Sequence, residues 1–518
     1  MTDFDDVIVG SGFGGAVSAC RLAEAGQRVL VLERGRRWEP TSYPSVTGRD
    51  FVYDVGAPER RNGWLDLRWF DDMTVAVGAG VGGGSLVYAN VSVPPPRATF
   101  ARGWPEALTL EELTPYVATV GKMLGVATIP ERQRTKRWRF VQRGAEALRQ
   151  SERFESLPLA IRFREDYDPT LPDATDVKHS HEHTNEFGRR QGTCVHLGHC
   201  DIGCKVQAKN TLDLNYLAVA ESHRAEIRPL HIVRRVEPNG TEWRIHFERI
   251  ADGALRPGSV SAKRVILAAG SLGSTEILLK SRLPNVSRRL GYGWSANGDF
   301  LTPALCEEDA DPTRGPTITA CIDHTDGMVY GESIFIQDGG LPNLIASAAS
   351  ELYEWLPRGW RSRFQPLLSW ADERTPLAKI MPWFAQGIDA SDGRLYLARD
   401  WLGLGAQRLR LDWRIERSRR TIEAIVRAHE QLARATGGKP IVSPAWTVLR
   451  DLITPHPLGG CNMANDASGG VVDHAGRVFG HPGLAVVDGS IIPRAIGRNP
   501  SRTIAAVAER AVAQWRAD

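Results

Sequence analysis

The 518-residue sequence has no stretch approaching the ~20 uninterrupted apolar residues of a transmembrane helix, so no membrane-spanning helix is expected. Cysteine is scarce. Seven in so long a chain are too few for a disulfide scaffold, and four of them (Cys20, Cys306, Cys321, Cys461) stand isolated. There is no long run of one charge sign either: 64 basic and 61 acidic residues leave a net charge of +3, which gives no footing for nucleic acid. Strand-like sequence begins within the first ten residues, without a charged leader, apolar h-region or twin-arginine motif. The expectation is a cytoplasmic protein.

What remains is an ordinary globular composition, 42% apolar and 24% charged. The length implies on the order of two or three domains, enough to bury a large ligand.

Residues 4 to 35, "FDDVIVGSGFGGAVSACRLAEAGQRVLVLERG", carry the strongest local signal. An apolar run, Val7 to Val9, meets Gly10, Gly12 and Gly15 in GxGxxG spacing. A helix follows with small residues Ala16, Ala19, Cys20 and Ala23 at helical spacing, and Gly26 ends it. A second strand, Val29 to Leu32, leads to Glu33. The glycines let backbone N–H groups and a positive helix end approach a pyrophosphate, while Glu33 can accept ribose hydroxyls. Neighbouring Arg34 leaves a 2′-phosphate as the lesser alternative, and the fingerprint itself does not separate NAD from FAD.

Residues 36 to 75 show no clear periodicity and read as a cover segment. In "VAVGAGVGGGSLVYANVSVPPP", Val75 to Pro96, five glycines point to backbone passing close to something flat or charged, with a flexible hinge as the alternative. Tyr88 and Asn90 follow at strand alternation. From about 97 to 190 the pattern turns helical, over Glu106 to Leu124 and Arg137 to Leu148. "TCVHLGHCDIGC" then clusters Cys194, Cys200 and Cys204 with His196 and His199. Packed thiols or a loop-pinning disulfide suit this spacing better than zinc or an iron–sulfur cluster, because no fourth ligand is evident. No metal is expected.

Residues 211 to 236 combine a capped helix with a strand pair. "RVILAAGSLGSTEILLKSR", Arg264 to Arg282, repeats the strand, glycine turn and helix, either as a second Rossmann-type element or as a late strand of the first sheet. The region 300 to 450 resembles an α+β unit, with strands at Gly331 to Gln337 and Arg408 to Trp413 and a helix from Arg420 to Thr436. Its aromatics (Trp355, Trp360, Trp370, Trp383, Phe384, Trp401) suit an apolar cavity or ordinary packing equally. In "HPLGGCNMA" proline holds His456 on an irregular turn and Gly459 and Gly460 remove bulk beside it. A buried strand, Leu484 to Val487, precedes a final helix for which Asn499 is a natural N-cap and Pro500 the first turn.

Taken in order, "GSGFGG", "GVGGGSLVYAN", "AAGSLGSTEILL", "HPLGG", "DGSIIP" and "GRNP" resemble the glucose–methanol–choline (GMC) oxidoreductases, nearest to their cholesterol-oxidase-like branch. The resemblance implies an α/β fold: a Rossmann-like FAD-binding domain from 1–96, 191–299 and 455–518, and an α+β substrate domain with a mainly antiparallel sheet from 97–190 and 300–454. It implies FAD against Gly10, Gly12, Phe13, Gly14, Gly15, Glu33 and Arg34, along Gly82, Gly83, Gly84, Ser85, Tyr88 and Asn90, and at Val233, Gly270, Asp488, Gly489, Asn499 and Pro500. His456 matches the active-site histidine and Asn499 its asparagine partner.

The activity so implied is oxidation of an alcohol, hydride leaving for flavin N5 and the proton passing to or through His456, with oxygen or another acceptor taking the electrons. A fairly apolar primary or secondary alcohol such as a sterol or terpenoid is expected, and peripheral membrane contact is allowed. Two departures stand out. Tyr88 replaces the asparagine usual in the sterol-oxidising branch. Around Gln386 to Leu395 no glutamate replaces the isomerisation base; Asp389 and Asp392 are near, but Ser391 holds the register, so coupled steroid isomerisation is not expected. The alternatives are a flavoprotein of this fold with lyase or decarboxylase chemistry, and an electron-transfer component built on the cysteine cluster.

Overall fold

The computed structural model describes residues 3–43, 49–341, 377–399, 407–441 and 452–517. Trp355, Trp360, Trp370 and Trp401 lie outside these residues.

The first layer is a seven-stranded sheet running Glu226–Arg228, Val29–Leu32, Phe4–Val9, Ala254–Leu267, Glu242–Ala251 and His231–Asn239, with Leu484–Val486 paired to the end of Ala254–Leu267. The Phe4–Val9 strand is parallel to both neighbours. Val7, Ile8, Leu30 and Val31 are fully buried, as expected of strands covered on both faces. The helix Phe13–Glu24 packs against Ser501–Ala517, and its Ala16, Ala19, Cys20 and Ala23 are buried. Gly26 ends it in the left-handed region at φ 80°, donating to the Ala23 carbonyl while Gln27 donates to that of Leu22.

Of the two readings open for Arg264 to Arg282, the late strand of the first sheet is the one observed. Ala254–Leu267 is long because it serves two partners: its first part forms a hairpin with Glu242–Ala251, and its last part runs parallel to Phe4–Val9 and Leu484–Val486.

The second layer is a six-stranded antiparallel sheet: Gly438–Pro440, Phe300–Cys306, Ile380–Gly387, Ile334–Asp338, Ala320–Asp323 and Phe154–Ser156. Helices Lys136–Ala147 and Arg419–Ala435 pack on it. Trp383 is wholly buried in this core, whereas Phe384 reaches the cavity on the other face.

Four sequence expectations are corrected. The stretch 36 to 75 holds an ordered strand, Leu65–Trp69, paired with Met73–Gly78, whose turn (Phe70 N–H to the Met73 carbonyl) contains no glycine or proline to announce it. Leu452–Thr454 joins this pair as a third strand. Tyr88 and Asn90 do not alternate along a strand, because Asn90 sits at φ 65°. The 97 to 190 stretch divides between layers: Leu113, Val117 and Val120 of helix Leu110–Met123 join the first core, while Lys136–Ala147 joins the second. The last helix begins at Ser501, with the Pro500 carbonyl accepting from Ile504 N–H, so Asn499 does not cap it.

The cysteine cluster forms no disulfide; all seven cysteines are free. Cys194 and Cys200 pack among Val91, Leu159 and Ile318, the packed-thiol alternative. No group of three potential metal ligands occurs among the described residues, and no described helix is long and apolar enough to cross a membrane.

Candidate active site

A cavity of about 750 Å³ runs between the layers, from the first glycine turn to His456 and Asn499. At one end the helix Phe13–Glu24 starts at Gly12 with no side-chain cap. Its first N–H groups are orphan donors at the positive end of a helix dipole, suited to a pyrophosphate. A Cβ on Gly12 would meet nothing within 4 Å, so the space beside this backbone is open.

Glu33 is locked at the tip of its strand: Oε2 accepts from Ser11 N (3.0 Å) and Oγ (2.7 Å), and Oε1 from Gly35 N (2.9 Å). Beside it, Arg34 donates to Asp66 (2.6 Å), its guanidinium lies 4.5 Å from the Tyr53 ring centroid, and both residues line the cavity with Val233. An uncapped helix end, an acid and a sheltered flat slot are what an ADP moiety needs, and the residues fit that half of FAD.

Of the expected contacts, Gly10, Gly12, Phe13, Gly14, Glu33, Arg34, Gly83, Gly84, Tyr88, Val233, Gly270, Asp488, Gly489, Asn499, Pro500 and His456 are brought together along the cavity. Gly15, Gly82, Ser85 and Asn90 are not on its wall. Gly15 packs on the Gly10 carbonyl, and Ser85 Oγ donates to the Gly82 carbonyl (2.7 Å) and accepts from Leu212 N (3.1 Å). Asn90 is fully buried, both its amide atoms without a hydrogen-bond partner. The glycine block also packs on protein: a Cβ on Gly83 would lie 2.6 Å from the Gly12 Cα.

At the far end, His456 Nδ1 lies 2.9 Å from each carboxylate oxygen of Asp299. Asn499 accepts at Oδ1 from Gln337 Nε2 (2.7 Å). Asp488 binds Gly270 N (2.9 Å), Ser274 Oγ (2.5 Å) and Ser490 N (2.8 Å); burial still carries its carboxyl above the ordinary range. The Tyr88 hydroxyl donates to the Asn210 carbonyl (3.0 Å), and Phe13 meets its ring edge-on at 5.6 Å. Leu301, Ile318, Leu341, Phe384 and Ile453 make this end apolar.

The isomerisation-base position contributes nothing here. Asp389 is buried and bonded to Ser295, Ser391 and the Ala296 N–H, and Ser391 Oγ accepts from Ala495 N. Neither lines the cavity.

Sequence reasoning missed Asp299, Gln337, Lys209 and Asp201. Lys209 is buried beneath Tyr88, its ammonium held by the carbonyls of Leu86, Tyr88 and Cys200. Asp201, inside the cysteine-rich motif, lines the cavity, and burial pushes its carboxyl up to about 6. The only signal that could have found it was the acid within that motif; the others lie far from their partners in sequence.

The profile of a family described as GMC oxidoreductase matches residues 389–508, and that of an NAD(P)-binding Rossmann-like domain matches residues 8–58. The chain is 32% identical to a cholesterol oxidase of Mycobacterium tuberculosis, across 99% of this chain and 91% of that protein. It is 30% identical to a cholesterol oxidase of Acinetobacter baumannii, across 98% and 94%. Among solved structures, pyridoxine 4-oxidase from Mesorbium loti matches with a TM-score of 0.61 at 19% identity, covering 99% of both chains, a likeness of fold.

Proposed function

Because the chain belongs to the GMC oxidoreductases, in their cholesterol-oxidase-like branch, and is an FAD-dependent enzyme acting on alcohol groups, we propose that it oxidises a fairly apolar primary or secondary alcohol, a sterol or terpenoid in kind, with His456 handling the hydroxyl proton and oxygen as the acceptor. The observation that carries this reading is the pairing of His456 and Asn499 on one cavity whose remaining wall at that end is mostly apolar.

Bound FAD supplies the hydride acceptor. The chain's own groups do the rest. An alcohol becomes a carbonyl when its carbon loses a hydride and its oxygen a proton, and the His456 imidazole takes or orients that proton. Gln337 occupies the Asn499 carbonyl, which leaves the Asn499 NH₂ group to donate to the alcohol oxygen. Leu301, Ile318, Phe384 and Ile453 on the cavity wall favour an apolar substrate body.

In this reading residues 1–96, 191–299 and 455–518 form the FAD-binding unit, joined by the helix Leu110–Met123, and the antiparallel sheet and its two helices close over the substrate. The test is an anaerobic screen of alcohol classes for bleaching of the oxidised flavin band, repeated in air. Bleaching by apolar alcohols and reoxidation by air support the proposal. A flavin that stays oxidised with every alcohol would sink it and favour lyase or decarboxylase chemistry.

A further inference from the structure

His456 is clamped by one short turn from elsewhere in the chain. Two residues before it, the Thr454 hydroxyl lies 2.6 Å from Asp299 Oδ2 and 3.0 Å from the Ala296 carbonyl, and accepts from the His456 N–H at 3.0 Å. Two residues after it, Leu458 exchanges both backbone hydrogen bonds with Ser295, each 3.0 Å. The ring itself is tied through Nδ1 to both oxygens of Asp299, whose side chain is wholly buried. The same turn reaches the other member of the pair: Asn297 Oδ1 accepts from Ile496 N (2.9 Å) and Gly497 N (3.0 Å), and its Nδ2 donates to the Arg498 carbonyl (2.9 Å), immediately before Asn499. Asn297 and Gly298 sit at φ 57° and 64°, a tight reversal that lets Asn297 and Asp299 serve these two segments.

We propose that Asp299 is a positioning residue that holds the His456 proton on Nδ1 and so leaves Nε2, the ring nitrogen with no hydrogen bond to a described residue, as the basic atom at the cavity. The proposal rests on His456 being the proton-handling group. A neutral imidazole carries one proton, and a carboxylate beside one nitrogen fixes which nitrogen bears it. With the proton on Nε2 the ring could not accept from an alcohol through that atom. The Asp299 carboxylate also favours the imidazolium formed when the alcohol proton arrives, and it does so without touching the substrate.

The test combines three variants with one spectrum. Asp299→Leu, which retains bulk but accepts nothing, is expected to lower kcat about 100-fold with little change in KM and with flavin content retained, the scale of a misplaced general base. Asp299→Asn, whose amide oxygen still accepts from Nδ1, is expected to keep more activity than Asp299→Leu. In a His456→Ala background, Asp299→Leu is expected to cost nothing further. In native protein labelled with ¹⁵N-histidine, the resonance absent from His456→Ala should show the Nδ1-protonated tautomer. A native ring protonated on Nε2, or equal losses from Asp299→Leu in both backgrounds, overturns the proposal. If Asp299→Leu loses its flavin or fold, Asp299→Asn and the native tautomer decide. Unimpaired turnover in His456→Ala is a different outcome, because it removes the reading of His456 itself.

Discussion

Gly14 and Val487 meet so closely that a Cβ on residue 14 would lie 1.5 Å from the Val487 carbonyl oxygen. The first helix therefore seats directly on the segment that follows the last sheet strand, and segments from both ends of the chain line one cavity. Gly14→Ala forces the backbones apart, and overpacking of this kind costs roughly 1–3 kcal/mol or more. Gly12→Ala differs, since its Cβ enters open space. Gly14→Ala should lower the thermal midpoint and the flavin-to-protein absorbance ratio together. Gly12→Ala should lower the ratio while leaving the flavin-free midpoint unchanged.

Acid should weaken the fold through two buried histidines. Burial pushes His429 down to about 3 and His196, which also faces Arg137 and Arg314, down to about 4. Both stay neutral in the fold while the unfolded chain takes up protons below about 6.5. Their contribution is therefore present above that pH and fades as pH falls towards 4 and 3, by up to ~1.4 kcal/mol per pH unit for each. Urea titrations at pH 7 and 5 should show the loss, and His429→Gln should reduce its slope.

Asp201 has the opposite sign. Its carboxyl is raised to about 6 by burial, so its ionisation opposes folding increasingly from about pH 4 to 6 and constantly above. Asp201→Asn should stabilise the protein at pH 7 by roughly 1–3 kcal/mol and leave it unchanged below pH 4. Thermal melts at the two pH values check this.

The motif thiols should be inert. Cys194 and Cys200 are buried, and burial pushes the Cys200 thiol up to about 11. Iodoacetamide at neutral pH should leave both unmodified in the native protein and alkylate them after unfolding, as peptide mass mapping would report.

The first βαβ unit was legible because its signals are local: Val7 to Val9, the glycines and Gly26 act on neighbours within a turn. The proline and glycines around His456 announced only a turn; the glycine fingerprint at one end of the chain and Asn499 at the other singled the residue out. Its partner Asp299 was not legible, since neither residue alone differs from a surface acid or a solvated turn histidine until the fold joins them. Gln337 and Asn499 repeat the case across two layers. Asn499 read as an N-cap because the Asn-Pro pair fits one, yet the Gln337 amide claims its oxygen and the helix starts two residues later. The glycine block read as a ligand cradle, but backbone at Gly12 takes part of the space those glycines leave open.

If His456 handles the hydroxyl proton of an alcohol oxidised in this cavity, its removal must slow the reduction of the flavin. The most direct measurement is the anaerobic rate of flavin bleaching by an accepted alcohol, native against His456→Ala, at equal flavin content. A loss of ~10²- to 10⁴-fold is expected, the range of general acid–base catalysis. Bleaching at the native rate would contradict that role for His456.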